Sequence, residues 1–434
     1  MLTIVKADGK SEKELLKAFE SRSGEVDRTV TAQVQEILEQ VRLRGDEALD
    51  EYTLQFDGAL PKPFEITRAA LRAAADGCEP SLFAAMEAAA ANIREFHEKQ
   101  RQAGFSYRRA DGTILGQRVR GLSRVGIYVP GGTAAYPSSV LMNALPAKIA
   151  GVGEIIMVTP PQKGGADPNI LAAAYLAGVD RVFLAGGAQG VAALAYGTAR
   201  IPRVDKIVGP GNIFVATAKR LLYGTVDIDM VAGPSEVLVV ADETASPKYV
   251  AADLMSQAEH DRLASAILLT TSEKLALETD AELERQAKRL SREAIIREAM
   301  KRFGGAIICR DLAEAMALSN AIAPEHLELS VADPEALLEQ VENAGSVFLG
   351  HSTPEPVGDY FAGPNHVLPT GGTSRFFSPL SVDGFYKKTQ FLGYSEAALR
   401  QNGEQIMAFA QAEGLTAHAN SVQVRLEEAQ HAAK

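Results

Sequence analysis

The chain has 434 residues, of which 46% are apolar and 23% charged, a composition that excludes a disordered or collagen-like protein. At about 150 residues per domain, this length predicts two or three domains. The net charge of −11 argues against nucleic acid as a main partner, because an acidic surface repels phosphate backbones. No apolar run reaches the ~18 residues that a membrane span needs, and the amino terminus lacks a signal-peptide core. We therefore expect a cytoplasmic protein without membrane contact.

The first hundred or so residues are predicted to be helical. Residues 32–52 place Val34, Ile37 and Val41 on one stripe at helical spacing, and residues 80–104 form an Ala-rich helix. His97 lies among charged residues of that second helix, so we interpret it as a solvated residue. Neither helix contains a cluster of reactive groups.

From residue 124 onward, short apolar strands recur every 25 to 30 residues with helices between them. They cover 124–132, 154–161, 181–187 and 206–212. This alternation predicts βαβ units and a parallel sheet. The strands end in Gly-containing turns, and open α/β sheets bind ligands at that edge. The turns GGAQG (186–190) and GPGN (209–212) could bring backbone N–H groups to a phosphate, although the strict GxGxxG pattern is absent.

A second α/β series begins at SEVLVVAD (235–242) and ends at GSVFLG (345–350). Residues 351–383 are rich in Gly, Pro, Ser and Thr, and so long an irregular segment in a compact protein is usually functional. Residues 394–434 are predicted to be mostly helical.

The second series contains two groups of residues suited to acid–base or metal chemistry. In SQAEHD (256–261), Gln257 and His260 share a helix face, although a solvated helix end would have the same pattern. In APEHLELSV (323–331), Glu325 and His326 lie at the start of an alternating strand. A carboxylate beside an imidazole there favours an acid–base pair, with an exposed, capped loop as the alternative.

Two further segments, 358–381 and 412–425, add Asp359 with His366 and Glu413 with His418. Two imidazoles and two oxygens, from Gln257, His260, Asp359 and His418, would suit zinc or manganese, although only the Gln-x-x-His pair is local. The HExxH pattern is absent, which disfavours a standard zinc peptidase. Cys78 and Cys309 are too few for a Cys-rich zinc site, and we interpret both as structural residues.

These motifs, in this order, resemble the histidinol dehydrogenase family over nearly the whole chain. The matching segments are GIYVPGG (126–132), GPGN (209–212), AGPSEV (232–237), SQAEHD (256–261), APEHLEL (323–329), GDYFAGPNHVLPT (358–370) and AEGLTAHANSV (412–422).

The resemblance implies an α/β fold with two Rossmann-like parallel-sheet domains, helical ends and an intertwined homodimer. The implied segments are an N-terminal helical segment (1–22), a discontinuous first domain carrying zinc and catalytic residues (23–127 plus 236–380), a second domain on the NAD side (128–235) and a C-terminal helical tail (381–434). That tail would complete the partner's active site.

The implied reaction oxidises L-histidinol through L-histidinal to L-histidine, the last step of histidine biosynthesis, with two NAD⁺ and one Zn²⁺ per subunit. The resemblance also assigns residues to roles. The catalytic pair of the family is matched by Glu325 and His326. Its zinc ligands, which also contact substrate as His326 does, are matched by Gln257, His260, Asp359 and His418. Further substrate positions are matched by Ser235, His366 and Glu413, and NAD contacts by Tyr128, Gln189 and Asn212.

The chemistry suits these residue types. An imidazole such as that of His326 can take the alcohol proton near neutral pH while hydride leaves. The aldehyde must then be hydrated, because a second hydride can leave only from a gem-diol, and Glu325 would activate that water. The zinc would mainly position the substrate. Glu413 would bind the far imidazole nitrogen.

Three alternatives remain at this point. A paralogue could use the same apparatus on another alcohol, such as an amino alcohol or a sulfonated diol. A zinc-dependent hydrolase would use Glu325 on water without a nicotinamide. A non-catalytic α/β binding module would use the same residues for affinity alone. The choice between zinc and manganese also stays open.

Overall fold

A computed structural model describes residues 1–24, 28–58, 60–131, 136–162 and 165–431. The last residue of the predicted motif at 126–132 lies outside these ranges. The chain forms two compact units, one of residues 1–101 with 122–385 and the other of residues 102–121 with 386–434. Each is described by itself, and the domain boundaries expected from the sequence stay a prediction.

The amino-terminal part of the first unit is mainly helical, as predicted, but it also contains two short strands. Its elements are β1 (Thr3–Lys6), α1 (Ser11–Gly24), α2 (Arg28–Arg44), α3 (Asp46–Asp57), β2 (Glu65–Ile66), α4 (Arg68–Asp76) and α5 (Pro80–Glu98). Helix α5 begins where Glu79 accepts hydrogen bonds from the N–H groups of Ser81 and Leu82. Both strands escaped prediction, because a few residues show no periodicity.

The two βαβ series follow in the predicted order. The first contains β5 (Arg124–Tyr128), α6 (Pro137–Ile149), β6 (Glu154–Thr159), α7 (Pro168–Ala177), β7 (Arg181–Leu184), α8 (Gly187–Tyr196), β8 (Lys206–Val208), α9 (Ile213–Leu222) and β9 (Asp227–Ile228), after β3 (Phe105–Arg108) and β4 (Ile114–Gly121) of the other unit. The second contains β10 (Glu236–Ala241), α10 (Pro247–Ala258), β11 (Ser265–Thr270), α11 (Glu273–Ala287), α12 (Glu293–Phe303), β12 (Gly304–Ile308), α13 (Leu312–Ile322), β13 (His326–Ser330), α14 (Pro334–Leu338), β14 (Ser346–Leu349) and α15 (Glu355–Tyr360).

Each series supplies five strands of a six-stranded sheet, and the sixth strand of each comes from the amino-terminal part of the chain. The first sheet combines β1 with the strands of the second series in the order β1-β12-β11-β10-β13-β14, and all its strands are parallel. The second sheet has the order β2-β7-β6-β5-β8-β9 and is parallel except for the pairing of β2 with β7. Strands such as β10 and β11 are buried along their whole length, as expected when helices cover both faces. The predicted α/β fold with parallel sheets is confirmed.

The interpretation of His97 is wrong. Its side chain is fully buried on α5, where Nδ1 donates to the carbonyl oxygen of Ile93 at 2.8 Å. Burial lowers the pKa of His97. The charged neighbours that suggested a solvated face lie on the other side of the helix, which ends at Glu98 rather than near residue 104.

The second unit is built around an antiparallel sheet with the order β15-β4-β3, where β15 is Tyr386–Gly393. Two helices follow, α16 (Glu396–Ala412) and α17 (Thr416–His431), so the predicted helical tail is confirmed over its described residues. The two helices pack closely, since a Cβ added at Gly403 would lie 2.7 Å from Leu426. Among the described residues, no helix has the length and apolar character to cross a bilayer.

Candidate active site

Glu325 and His326 lie at the amino end of the first sheet, where β13 begins beside β10. Val237 pairs with His326 in the register of these two strands. Ala323, two residues before Glu325, has a φ of 55°, a left-handed conformation that non-glycine residues rarely adopt. This tight turn ends α13 and directs the chain into the strand, so both side chains of the pair are buried, with 7% and 4% of their surface exposed.

Glu236, at the start of β10, holds both members of the pair through its main chain. Its N–H donates to Oε2 of Glu325 at 2.8 Å, and its carbonyl oxygen lies 3.0 Å from Nδ1 of His326. Because a carbonyl oxygen can only accept, Nδ1 carries a proton. In the neutral imidazole, Nε2 is therefore the nitrogen that can accept a proton from a substrate.

The Nε2 atom of His326 faces two carboxylates across a gap. It lies 3.7 Å from Oδ1 of Asp359 and 3.9 Å from Oε1 of Glu355, and it has no hydrogen-bond partner among the described residues. These distances exceed those of an N–H···O hydrogen bond. Nε2 is thus available to a third group.

His260, Glu355 and Asp359 form a potential metal site. One ligand atom from each lies within 4.8 Å of the others. His260 follows the end of α10, and the two carboxylates are four apart on α15, which places them on one helix face. Gln257, on the last turn of α10, is buried, and its Oε1 has no hydrogen-bond partner among the described residues.

The buried charges shift the pKa values of the acid–base pair upward. Burial raises the pKa of Glu325 to about 8. For His326, burial works to lower the pKa, but the charges of Glu325, Asp359 and Glu355 outweigh it and raise the pKa to about 10. Several ionisable groups of shifted pKa at one point of a fold are typical of a functional site.

The two carboxyl groups of α15 shift in opposite directions. Burial raises the pKa of Glu355 to about 8, and the charge of Asp359 adds to the shift. Burial would also raise the pKa of Asp359, but His326 and His366 hold it below its usual value. Asp359 is therefore the carboxylate of the pair that stays ionised.

Two of the further predicted substrate residues lie in the first unit. Nδ1 of His366 donates to the carbonyl oxygen of Asp359 at 3.0 Å, and Ser139 Oγ lies 3.4 Å from its Nε2. Ser235 immediately precedes β10, and its carbonyl oxygen accepts from the N–H of Ser265 at 3.0 Å. Beside His260, a cavity of about 420 Å³ opens between α5 and α6.

Glu413 and His418 belong to the second unit. Both line a cavity of about 820 Å³ on α16 and α17, together with apolar residues that include Phe409, whose side chain is 72% exposed. The structure thus brings His260, Asp359 and His326 together, with Glu325 beside His326 and Gln257 three residues before His260. Glu413 and His418 lie in the other unit.

The three predicted NAD contacts lie at the carboxyl edge of the second sheet. Tyr128 ends β5, and its hydroxyl accepts from the N–H of Gly187 at 3.1 Å. Gln189 is buried on the first turn of α8, and its Oε1 lacks a hydrogen-bond partner among the described residues. Asn212 caps α9 by accepting from the N–H groups of Phe214 and Val215 at 3.0 and 3.2 Å.

Sequence reasoning missed Glu355 and the residues that hold it. Ser256 Oγ donates to Oε2 of Glu355 at 3.0 Å, and Glu328 Oε1 accepts from the Glu355 N–H at 3.0 Å. The i,i+4 spacing of Glu355 and Asp359 was a signal, but it falls inside a segment that the sequence favours as irregular.

Comparison with known proteins identifies the family. The family model for histidinol dehydrogenase matches residues 20–426. The chain belongs to the histidinol dehydrogenase family. It is 55% identical to the histidinol dehydrogenase of Listeria innocua over 92% of this chain and 93% of that one. It is 54% identical to that of Bacillus cereus over 95% and 96%.

A solved histidinol dehydrogenase shares the fold. The crystal structure from Elizabethkingia anophelis is 37% identical, covers 99% of this chain and 98% of its own, and superposes with a TM-score of 0.91. The resemblance seen in the sequence is therefore confirmed. The chain is an oxidoreductase of the histidinol dehydrogenase type.

Proposed function

We propose that the protein oxidises L-histidinol through L-histidinal to L-histidine, with two NAD⁺ as acceptors and a divalent metal, Zn²⁺, in the site. The observation that carries this proposal is the pair at 325–326, held by Glu236 with Nε2 of His326 facing the group of His260, Glu355 and Asp359. Family membership supplies the substrate and cofactors. A cytoplasmic location belongs to the same proposal, because the reaction draws on the cell's nucleotide pool.

The residues fit a divalent cation. Gln257 offers a buried oxygen without a partner among the described residues, and His260 and Asp359 offer an imidazole and an ionised carboxylate. Nitrogen and oxygen ligands of this kind suit zinc and also manganese. When bound, the metal supplies positive charge and a template that orients the substrate's nitrogen atoms.

His326 is the base of the first oxidation in this proposal. Its Nε2 takes the hydroxyl proton while the carbon-bound hydrogen leaves as hydride to NAD⁺. Because Nδ1 donates to the Glu236 carbonyl, the ring keeps one orientation throughout. The same nitrogen can serve again, once it has released its proton, when the hydrated aldehyde loses its second hydride.

Glu325 activates the water between the two oxidations. In its ionised form, the buried carboxylate takes a proton from the attacking water. The hydroxide adds to the aldehyde carbon, and the carbonyl oxygen takes up the proton that His326 gained in the first oxidation. The resulting gem-diol carries the hydrogen that leaves as the second hydride. The N–H of Glu236 keeps one carboxylate oxygen in place during this step.

The remaining polar residues select the substrate. His366, held by the Asp359 carbonyl, and Ser235, directly before β10, provide hydrogen-bonding groups. Tyr128, Gln189 and Asn212 form the cofactor side, where turns at the ends of parallel strands offer backbone N–H groups.

A homodimer completes this proposal. His418 would be a fourth metal ligand and Glu413 would bind the imidazole nitrogen farther from the metal, both supplied to the site of the partner subunit. Their position on the cavity of α16 and α17, among exposed apolar side chains, suits a surface that another chain covers.

The deciding experiment counts NADH formed per L-histidinol consumed, with and without a chelator. Two NADH per substrate, lost on chelation and restored by Zn²⁺ or Mn²⁺, is the expected result. One NADH per substrate, or turnover of other alcohols but not of L-histidinol, would reject the assigned reaction. Hydrolysis of esters or amides without any NADH would favour a hydrolase instead.

A further inference from the structure

The turn at 209–212 has a shape that only its first glycine permits. Gly209 follows β8 with a φ of 112°, and a Cβ added there would lie 2.1 Å from the carbonyl oxygen of Tyr128. The turn thus packs directly on the end of β5, and three residues later Asn212 caps α9. Two of the three proposed NAD contacts therefore depend on where Gly209 lies.

A buried ion pair binds both backbone polar groups of Gly209. Its N–H donates to Oδ2 of Asp229 at 2.8 Å, and its carbonyl oxygen accepts from Nζ of Lys219 at 2.9 Å. Lys219 and Asp229 also pair with each other, and their side chains are only 3% and 1% exposed. The second oxygen of Asp229 accepts from the N–H of Met230 at 2.7 Å.

Stability alone does not account for this arrangement. Removing two charges from water costs free energy that their attraction only partly returns, and apolar replacements of buried ion pairs are often as stable or more so. What a fully hydrogen-bonded buried pair does provide is a fixed geometry. Here the fixed group is the peptide of a glycine turn at the ligand-binding edge of the sheet.

We propose that Lys219 and Asp229 are positioning residues for the dinucleotide: they clamp Gly209 and thereby set the shape of the turn at 209–212 that receives the cofactor. This inference rests on the proposed NAD-linked function. Neither side chain needs to touch the cofactor, since both act through the backbone of Gly209. The ligand class is a nicotinamide dinucleotide, bound at this edge independently of the metal site.

A neighbouring ion pair offers a matched control. Lys206 on β8 pairs with Asp227 on β9 at 2.8 Å, but Asp227 is 50% exposed, and the pair has no hydrogen bond to the turn among the described residues. Lys206→Met therefore removes a lysine whose partner lies two residues before Asp229, without releasing Gly209. Lys219→Met removes the donor to the Gly209 carbonyl oxygen. Asp229→Asn removes the ion pair and leaves one amide oxygen for the N–H groups of both Gly209 and Met230.

The experiment measures NAD⁺ affinity by calorimetry on the zinc-loaded protein, with KM for NAD⁺, KM for L-histidinol, kcat and metal content alongside. We expect Lys219→Met and Asp229→Asn to raise Kd and KM for NAD⁺ by about tenfold or more, which corresponds to 1.4 kcal/mol per factor of ten. Metal content, kcat and KM for L-histidinol should stay within about twofold of wild type, as should every value for Lys206→Met.

The double variant Lys219→Met/Asp229→Leu keeps the test decisive if a single change prevents folding, because it leaves no unpaired buried charge. It should fold and bind zinc, yet lose NAD⁺ affinity like the single variants. Wild-type NAD⁺ affinity in the double variant would overturn the inference. So would a loss of metal and L-histidinol binding, in all variants, as large as the loss of NAD⁺ binding. Absence of NAD⁺ binding in the wild type would instead reject the proposed function itself.

Discussion

The carboxylate of Glu355 lies 3.9 Å from Nε2 of His326, on the same side of the ring as Asp359 at 3.7 Å. With two carboxylates and Glu325 around it, the imidazole has its pKa raised to about 10. A base with so high a pKa is already protonated at neutral pH and cannot take a proton from an alcohol. A divalent cation held by His260 and Asp359 would offset these negative charges.

We therefore predict that metal binding lowers the pKa of His326. In the metal-free protein, the imidazolium should persist until the pH approaches 10, because a raised histidine pKa favours the charged form; with Zn²⁺ bound, the proton should leave at lower pH. Titration of histidine-labelled protein by NMR, with the His326 signal assigned from His326→Asn, measures both values. The same pKa with and without zinc would contradict the proposed role of the cation.

Glu325→Gln should separate the two oxidation steps. An amide cannot take a proton from water, so oxidation of L-histidinal should slow by roughly 10²-fold or more, while oxidation of L-histidinol should slow less. Single-turnover measurements with each substrate give the two rates, and Glu342→Gln, at an exposed position, is the control. Equal losses in both steps would remove Glu325 from the role of activating water, whereas His326→Asn should damage both.

The proposed exchange of residues between subunits predicts complementation. His326→Asn and His418→Ala should each be inactive as homodimers, but a mixed dimer has one site with both changes and one site with neither. Co-expression at equal levels should restore about a quarter of wild-type activity, since half of the dimers are mixed and each has one intact site. Failure to restore activity, with mixed dimers demonstrated by differential tags, would place His418 in the site of its own chain or outside any site.

Asp57 should destabilise the folded protein at neutral pH. Burial raises its pKa to about 6, and one carboxylate oxygen has no hydrogen-bond partner among the described residues. Because the folded-state pKa exceeds that of the unfolded chain, ionisation disfavours the fold increasingly as pH rises from about 4 to 6. Asp57→Asn should therefore raise Tm at pH 8 more than at pH 4, as measured by calorimetry.

The control for Asp57 is Asp76→Asn, which alters an exposed carboxylate 3.6 Å from Arg72. A surface pair of this kind contributes little, so Tm should hardly change at either pH. If Asp57→Asn left Tm as little changed as Asp76→Asn does, the ionised Asp57 carboxylate would not destabilise the fold. Its charge would then have to be stabilised by a group from the solvent.

Replacement of both cysteines by alanine should leave turnover of both substrates largely intact. Burial raises the pKa of the Cys309 thiol to about 12, so it is not a thiolate at neutral pH and is a poor nucleophile. Cys78 lies between α4 and α5, where its Sγ is 3.8 Å from Oδ1 of Asn169. Rates of L-histidinol and L-histidinal oxidation check this, and a selective loss of the second would indicate that a thiol takes part in aldehyde oxidation.

Local patterns in the sequence predicted much of the fold and part of the site. The alternation in HLELSV placed a strand start at His326, and the spacing of Gln257 and His260 placed both on one turn of helix or just beyond it. These are short-range properties, since side-chain direction follows from helix or strand period.

Properties that depend on tertiary contacts escaped prediction. Glu355 approaches His326 only because α15 folds back toward the start of β13, and the buried state of His97 depends on which face of α5 is covered. Glu236 is a partner through its backbone, which no side-chain pattern reveals. The proposed relation of Glu413 and His418 to the other site residues rests on a proposed homodimer, which the family resemblance, rather than the residue pattern, leads us to expect.

The way in which Glu236 holds Glu325 and His326, the proposed catalytic pair, affects how well their arrangement tolerates mutation. Both hydrogen bonds come from its main chain, so almost any amino acid at position 236 preserves them. Its side chain serves elsewhere, accepting from the N–H of Gly371 at 3.2 Å. Only proline, which lacks an N–H, would release Glu325 while leaving His326 its carbonyl partner. The alignment of the acid–base pair is thus protected from nearly every single codon change at the residue that enforces it.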